Sequence, residues 1–171
     1  MPSAIGELTR RVHDTFTAEI PDGSLAGSCA EASALLAVLL ADAGVDSEVV
    51  YGRYTVAWKR DHATGETISG DMAHFWVRLA DTTICDPTRG QFYPRSIASR
   101  KPLVICAGHD DQRLYAADVT QGQTLVARPT REDCWRTAER CDASAGPYRD
   151  EGILPAITRK LIGPRPARLR A

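Results

Sequence analysis

The 171-residue sequence has no excess of charge of either sign, with 21 Lys and Arg against 22 Asp and Glu. It therefore lacks the basic field that nucleic acid would demand or an acidic surface would attract. It also lacks a long hydrophobic run. The longest, ALLAVLLA, is far short of the roughly 20 residues a bilayer requires. The N-terminal stretch MPSAIGELTRRVHDTF is amphipathic and has no apolar signal-peptide core. There is no cysteine framework, since the five cysteines are odd in number and irregular in spacing. These absences lead us to expect a reducing, cytoplasmic setting. Repeats, low-complexity tracts and linkers are missing too, so a single domain is expected over residues 1–163. Residues 164–171, within GPRPARLRA, are expected to form a flexible basic tail. The three tryptophans do not interleave with basic residues in a stripe that stacks on nucleobases. Neither nucleic acid nor membrane is expected as a partner.

What is present is regular patterning. Ile5, Leu8, Val12 and Phe16 recur at three- and four-residue steps and predict a helix over about 4–19. PDGSLAGS reads as a loop. Ser28, followed three residues later by Glu31, has the form of a capping box, which puts Cys29 at the first helical position. Leu35, Leu36, Val38, Leu39 and Leu40 make that helix apolar nearly all round, hence central and buried, and Gly44 supplies its stop. SEVVYGRYTVAW reads as a strand and KRDHATGETISGD as a polar loop. In MAHFWVRLA, Ala73, Phe75, Val77 and Leu79 share one face, and Met72, His74, Trp76 and Arg78 the other. TTICDPT and PLVICAG read as short strands and REDCWRTAERC as a helix. Helix first, then antiparallel strands, predicts an α+β fold with the cysteine-bearing helix packed on the sheet.

The chemistry centres on Cys29. Thiolate is the reactive form of cysteine, and the free N–H groups and positive end of a helix N-terminus favour it. A neighbouring imidazolium would do so as well and would supply a base. The Cys29 backbone N–H could also donate to a developing oxyanion. Taken alone, a cysteine beside a buried helix is equally readable as a small packing residue. Of the four histidines, His13 and His62 read as solvated and His109, in AGHDD, as a turn residue. His74 differs because it sits inside a strand, beside Trp76, which could shield an ion pair from water. Asp86 follows His74 by twelve residues. A three-residue hairpin loop at Ala80, Asp81 and Thr82 would pair Leu79 with Thr83 and Trp76 with Asp86. That register puts Asp86 diagonal to His74 on one face, about 7–8 Å between backbones. A two-residue loop would put it on the other face. Cys106 and His109, with Cys134 and Cys141, have part of a zinc pattern, but the second spacing is too wide, and no metal is expected.

In order, GSCAEASALLAVLLADAGVDSEVVYG, HFWVRL and CDPT resemble the transglutaminase-like superfamily of the wider papain-like group. The resemblance covers roughly residues 27–90. It implies Cys29 as nucleophile, His74 as base and acid, and Asp86 as the group that orients the imidazole, with Ser28 and Trp76 lining the site. It implies cysteine-dependent acyl transfer on a peptide or amide substrate, with no cofactor. The chain departs from the pattern in three ways. Arg78 stands where an acidic residue is usual, the spacing from His74 to Asp86 is short, and no upstream Gln or Trp offers a side-chain oxyanion donor. Two other readings follow. A binding module could retain the fold without catalysis. An arylamine N-acetyltransferase would share the Cys-x-Glu start, here Cys29 and Glu31, but CDPT lacks that family's glycine-rich ending.

Overall fold

The computed structural model describes residues 2–59, 67–141, 147–148 and 150–165. They form an α+β fold with five α-helices and an antiparallel sheet. Helix α1 (Pro2–Glu19) is followed by α2 (Cys29–Asp42), then by two long strands, β1 (Ser47–Lys59) and β2 (Thr67–Leu79). Short elements follow: β3 (Ile84–Cys85), α3 (Arg95–Ala98), β4 (Val104–Ile105), β5 (Tyr115–Ala117), β6 (Val119–Thr120), β7 (Gln123–Thr124) and β8 (Val126–Ala127). Helices α4 (Arg131–Arg140) and α5 (Ile153–Ile162) are the last of the described elements. The sheet runs β4-β3-β2-β1-β5, with β8 pairing further along β1, while β6 and β7 make a separate hairpin. No helix among the described residues is long and apolar enough to cross a membrane.

Helix α2 is buried on every side from Ala32 to Leu40 apart from Ala34, because α1, α4, α5 and the sheet surround it. Val12 and Phe16 of α1, Val77 and Leu79 of β2, and Ile157 and Leu161 of α5 complete this core. Gly44, in the left-handed region at φ 74°, lets the Val45 N–H return to the Leu40 carbonyl at 2.8 Å and stops the helix. The opposite face of β2 is buried at His74 and Trp76. Trp76 packs there with Val50, Ile84 and Ile105 in a second cluster.

Two local expectations are corrected. Ser28 does precede the first helical residue, Cys29, but no capping box forms. Its hydroxyl donates backward to the Leu25 carbonyl at 2.8 Å, tightening the loop instead of the helix end. The segment read as a loop from 59 to 71 is partly strand, since β1 and β2 keep pairing out to Lys59 opposite Thr67. Continuous cross-strand pairing there overrides the polar composition on which the loop reading rested. Of the expected tail, residues 166–171 lie outside the described residues, and Arg165 ion-pairs with Glu139 at 3.0 Å.

Candidate active site

Cys29 is the first residue of α2 and is partly exposed. No hydrogen bond from its backbone N–H occurs among the described residues, since the first N–H groups of a helix have no carbonyl a turn earlier to meet. His74 lies in the middle of β2, fully buried. The β2–β3 turn decides what it meets. Thr82 N–H donates to the Leu79 carbonyl at 3.0 Å, Leu79 N–H to the Thr83 carbonyl at 2.9 Å, and Thr82 is left-handed at φ 69°. This is the three-residue loop with its αL residue. It pairs Val77 with Cys85, so Asp86 comes one step further along, diagonal to His74. Asp86 Oδ2 accepts from His74 Nε2 at 2.7 Å, with both side chains fully buried.

Asp86 is also the turn residue that its Asp-Pro sequence suggests. Its Oδ1 accepts from the Thr88 N–H at 3.0 Å and the Thr88 hydroxyl at 3.2 Å, while Tyr115 donates to Oδ2 at 2.9 Å. Burial opposes ionisation of this carboxyl, but the His74 charge and these donors outweigh it and hold its pKa below the usual range. For His74, burial pushes the pKa down, yet the charge and hydrogen bond of Asp86, joined by the Cys29 side chain, push it up to about 9. At neutral pH the imidazole therefore carries both protons, with Nε2–H committed to Asp86.

Aromatic rings enclose the pair. Phe92 meets the imidazole edge-on at 5.1 Å between centroids, Tyr54 lies at 5.7 Å and Trp76 at 6.3 Å. Gly52, paired with His74 across β1 and β2, makes room for this wall. A Cβ there would meet the Ala116 carbonyl oxygen at 2.2 Å and the Trp76 ring at 2.8 Å. Only glycine lets β5 approach closely enough for Tyr115 to reach Asp86.

Gln91, in the 3₁₀ turn Arg89–Phe92, had no signal in the sequence. Its Nε2 lies 3.3 Å from His74 Nδ1 and donates to the Thr88 hydroxyl at 3.2 Å, while its Oε1 accepts from the Gly27 N–H at 3.3 Å. It thus bridges the loop before Cys29 to Nδ1 of His74. Arg89, also buried, donates to Tyr54 and to Asp111 and fixes the same turn from behind.

The remaining candidates fall elsewhere. Ser28 is buried and faces Leu25, so it does not line an open site as expected. Trp76 is buried beside His74 and edge-on to Tyr115 at 5.2 Å. His13 is not simply solvated. Its Nδ1–H donates to the Pro87 carbonyl at 2.7 Å, because α1 packs close enough to brace the turn after Asp86. His62 lies outside the described residues. His109 caps the 3₁₀ turn Asp110–Leu114 by accepting from the Asp111 N–H. Cys106 is exposed while Cys134 is buried in α4, and no three metal-ligating side chains cluster among the described residues. Arg78 pairs at 2.5 Å with Glu48, its cross-strand partner, which accounts for a basic residue at that position. Compared with protein-family models, curated proteins and solved structures, the chain matches none.

Proposed function

We propose that this protein is a cysteine-dependent acyl-transfer enzyme of transglutaminase-like, papain-related architecture that acts on peptide or amide carbonyls. One observation carries the reading. A fully buried His74 is bonded through Nε2 to Asp86, and its charged form is favoured by the Cys29 side chain at the start of α2. A buried base with its tautomer fixed and a partly exposed sulfur beside it are what nucleophilic acyl transfer needs.

The steps follow from this arrangement. The Cys29 thiolate attacks the carbonyl carbon, a C–S bond forms, and the carbonyl electron pair moves to oxygen. His74 Nδ1 gives its proton to the leaving amine as the C–N bond breaks, which leaves a thioester and neutral His74. Water, deprotonated by His74, attacks the thioester and releases the carboxylic acid and the thiolate. An amine in place of water would give transfer instead.

Two donors serve the oxyanion. One is the uncapped Cys29 N–H, and the other is Gln91 Nε2. When His74 Nδ1 is unprotonated it can accept from Gln91. When it is protonated, two donors face each other, and the amide hydrogen not held by Thr88 is released toward whichever acceptor arrives. Gln91→Ala should lower kcat about 10²-fold with a smaller change in KM, since a lost oxyanion donor acts on the transition state. An equal rise in KM at constant kcat would assign Gln91 to substrate binding instead.

The reading is tested by competition among the protein's own thiols. Burial pushes the thiols of Cys85 and Cys134 up to about 12, and Cys106 is exposed. At pH 6–7 a haloacetamide, followed by peptide mass spectrometry, should modify Cys29 well ahead of Cys106 and spare Cys85 and Cys134. The advantage should fade as pH rises through about 9, where His74 loses its charge. Labelling of Cys29 no faster than Cys106 would remove the thiolate–imidazolium pair on which the mechanism depends.

A further inference from the structure

One oxygen of Asp86 serves two side chains. His74 Nε2–H reaches Oδ2 at 2.7 Å, and the Tyr115 hydroxyl reaches the same atom at 2.9 Å. The other oxygen, Oδ1, is taken by the N–H and the hydroxyl of Thr88. His74 and Thr88 thus satisfy both oxygens of the buried carboxylate, and Tyr115 is not needed to keep either from being orphaned. Nor does ring packing demand a hydroxyl there. Of the other rings around the imidazole, Phe92 has no polar atom, and the Tyr54 hydroxyl turns away to Tyr93 at 2.8 Å and Arg89 at 3.3 Å. Tyr115 instead directs its hydroxyl onto the oxygen that His74 uses.

The consequence is a competition. Each donor draws on the negative charge of Oδ2, so each weakens the other. The hydroxyl bond is strongest when the imidazole is neutral and weakest when it is charged, and it therefore favours the neutral form. This opposes Asp86 and Cys29, whose charges and hydrogen bonds raise the His74 pKa. A residue that must both give and take a proton works best when it holds that proton loosely near the working pH. Tyr115 itself stays a neutral donor, because burial and the Asp86 charge hold its pKa well above the usual phenol range.

We propose that Tyr115 is a positioning residue of the acyl-transfer site: by sharing Oδ2 with His74 it moderates the hold of Asp86 on the imidazolium and eases release of the Nδ1 proton to the leaving amine. The inference rests on the acyl-transfer reading and adds to it a residue that touches no reacting atom. The titratable and charged groups around the imidazole are Asp86, Cys29 from α2, Tyr54 from β1 and Tyr115 from β5, with Arg89 close to both tyrosines. Only Tyr115 is altered in the test.

The experiment reads His74 directly, by carbon NMR of histidine labelled at Cε1, with His13, His62 and His109 assigned by replacing each in turn. Tyr115→Phe keeps the ring contacts with Tyr54 and Trp76 and should raise the His74 midpoint by about 0.5–1 pH unit. Site-specific 3-fluorotyrosine in place of Tyr115 is a more acidic phenol and a stronger donor, so it should lower the midpoint. Opposite shifts are the signature of a donor, since lost packing would move both variants the same way or neither. A midpoint unchanged or lowered in Tyr115→Phe overturns the proposal. So does one unchanged or raised by the fluorinated residue, which decides the matter alone if Tyr115→Phe does not fold. Haloacetamide labelling of the same samples separates this inference from the reading beneath it. In Tyr115→Phe the advantage of Cys29 over Cys106 should persist to higher pH by the same interval. If the midpoints stay fixed while Cys29 is still preferred, the Tyr115 inference falls and the acyl-transfer reading stands. If the midpoints move as expected but Cys29 labels no faster than Cys106, the acyl-transfer reading falls and takes the positioning role with it.

Discussion

Cys29→Ala should abolish turnover of any amide or ester substrate, a loss of at least about 10⁴-fold in kcat, while the chain stays folded. Alanine is the best helix former and Cys29 is only partly buried at the first position of α2, so the stability change should stay below about 1 kcal/mol. The variant should also retain substrate, because Gln91 and the rest of the site remain in place. The decisive comparison is therefore kcat against Kd, the latter by calorimetry with a slowly reacting amide. Loss of turnover with Kd retained assigns chemistry to the sulfur. Turnover retained in full would end the nucleophile reading, whatever the labelling experiment shows. Cys29→Ser is the more telling companion. It keeps size and polarity but presents a hydroxyl that His74 cannot ionise as readily, so it should behave like Cys29→Ala in turnover.

The parts of this fold that could be read in the sequence are those where one pattern decides the outcome. The apolar crowding from Ala32 to Leu40 made α2 central, and the period-two alternation of β2 placed Val77 and Leu79 in the core and His74 on the other face. The link between His74 and Asp86 was legible only through loop length. Three residues at 80–82 put the two side chains together and two would have separated them. What could not be read depended on contacts distant in sequence. Gln91 lies 64 residues from Gly27 and reaches it from a turn whose position Arg89 and Asp111 set. Tyr115 sits on a three-residue strand with no alternation to betray it, and it meets Asp86 only because Gly52 admits β5. Ser28 shows the converse failure. Its spacing to Glu31 was right for a cap, but the backbone of the 25–28 turn offered its hydroxyl a nearer acceptor.

The pairing of His74 with Asp86 makes a second large prediction, and it separates charge from packing. Removing one partner of a buried ion pair strands the other, so His74→Ala should cost about 3–5 kcal/mol near pH 7 as well as eliminating turnover. The loss should depend on pH in a defined way. In the wild type the His74 pKa is raised to about 9 from an ordinary 6.5, so its contribution is complete below pH 6.5 and disappears as pH rises through 9. That interval corresponds to about 3 kcal/mol. The Asp86 pKa is lowered, so its contribution is present above about pH 4 and is lost only in stronger acid. Wild-type stability due to this pair is therefore flat between about pH 5 and 6.5. In His74→Ala the stranded Asp86 has lost the charge that held its pKa down, and burial should raise it, so the variant should gain stability as pH falls. Adding Asp86→Asn to His74→Ala should recover part of the loss, because the double variant no longer buries a charge. Urea titrations followed by circular dichroism from pH 5 to 9.5 measure all three. A His74→Ala deficit that stays constant across that range, and is not relieved by Asp86→Asn, would mean that the imidazole contributes packing and not charge. The acid–base pair proposed for catalysis would then lose its electrostatic basis.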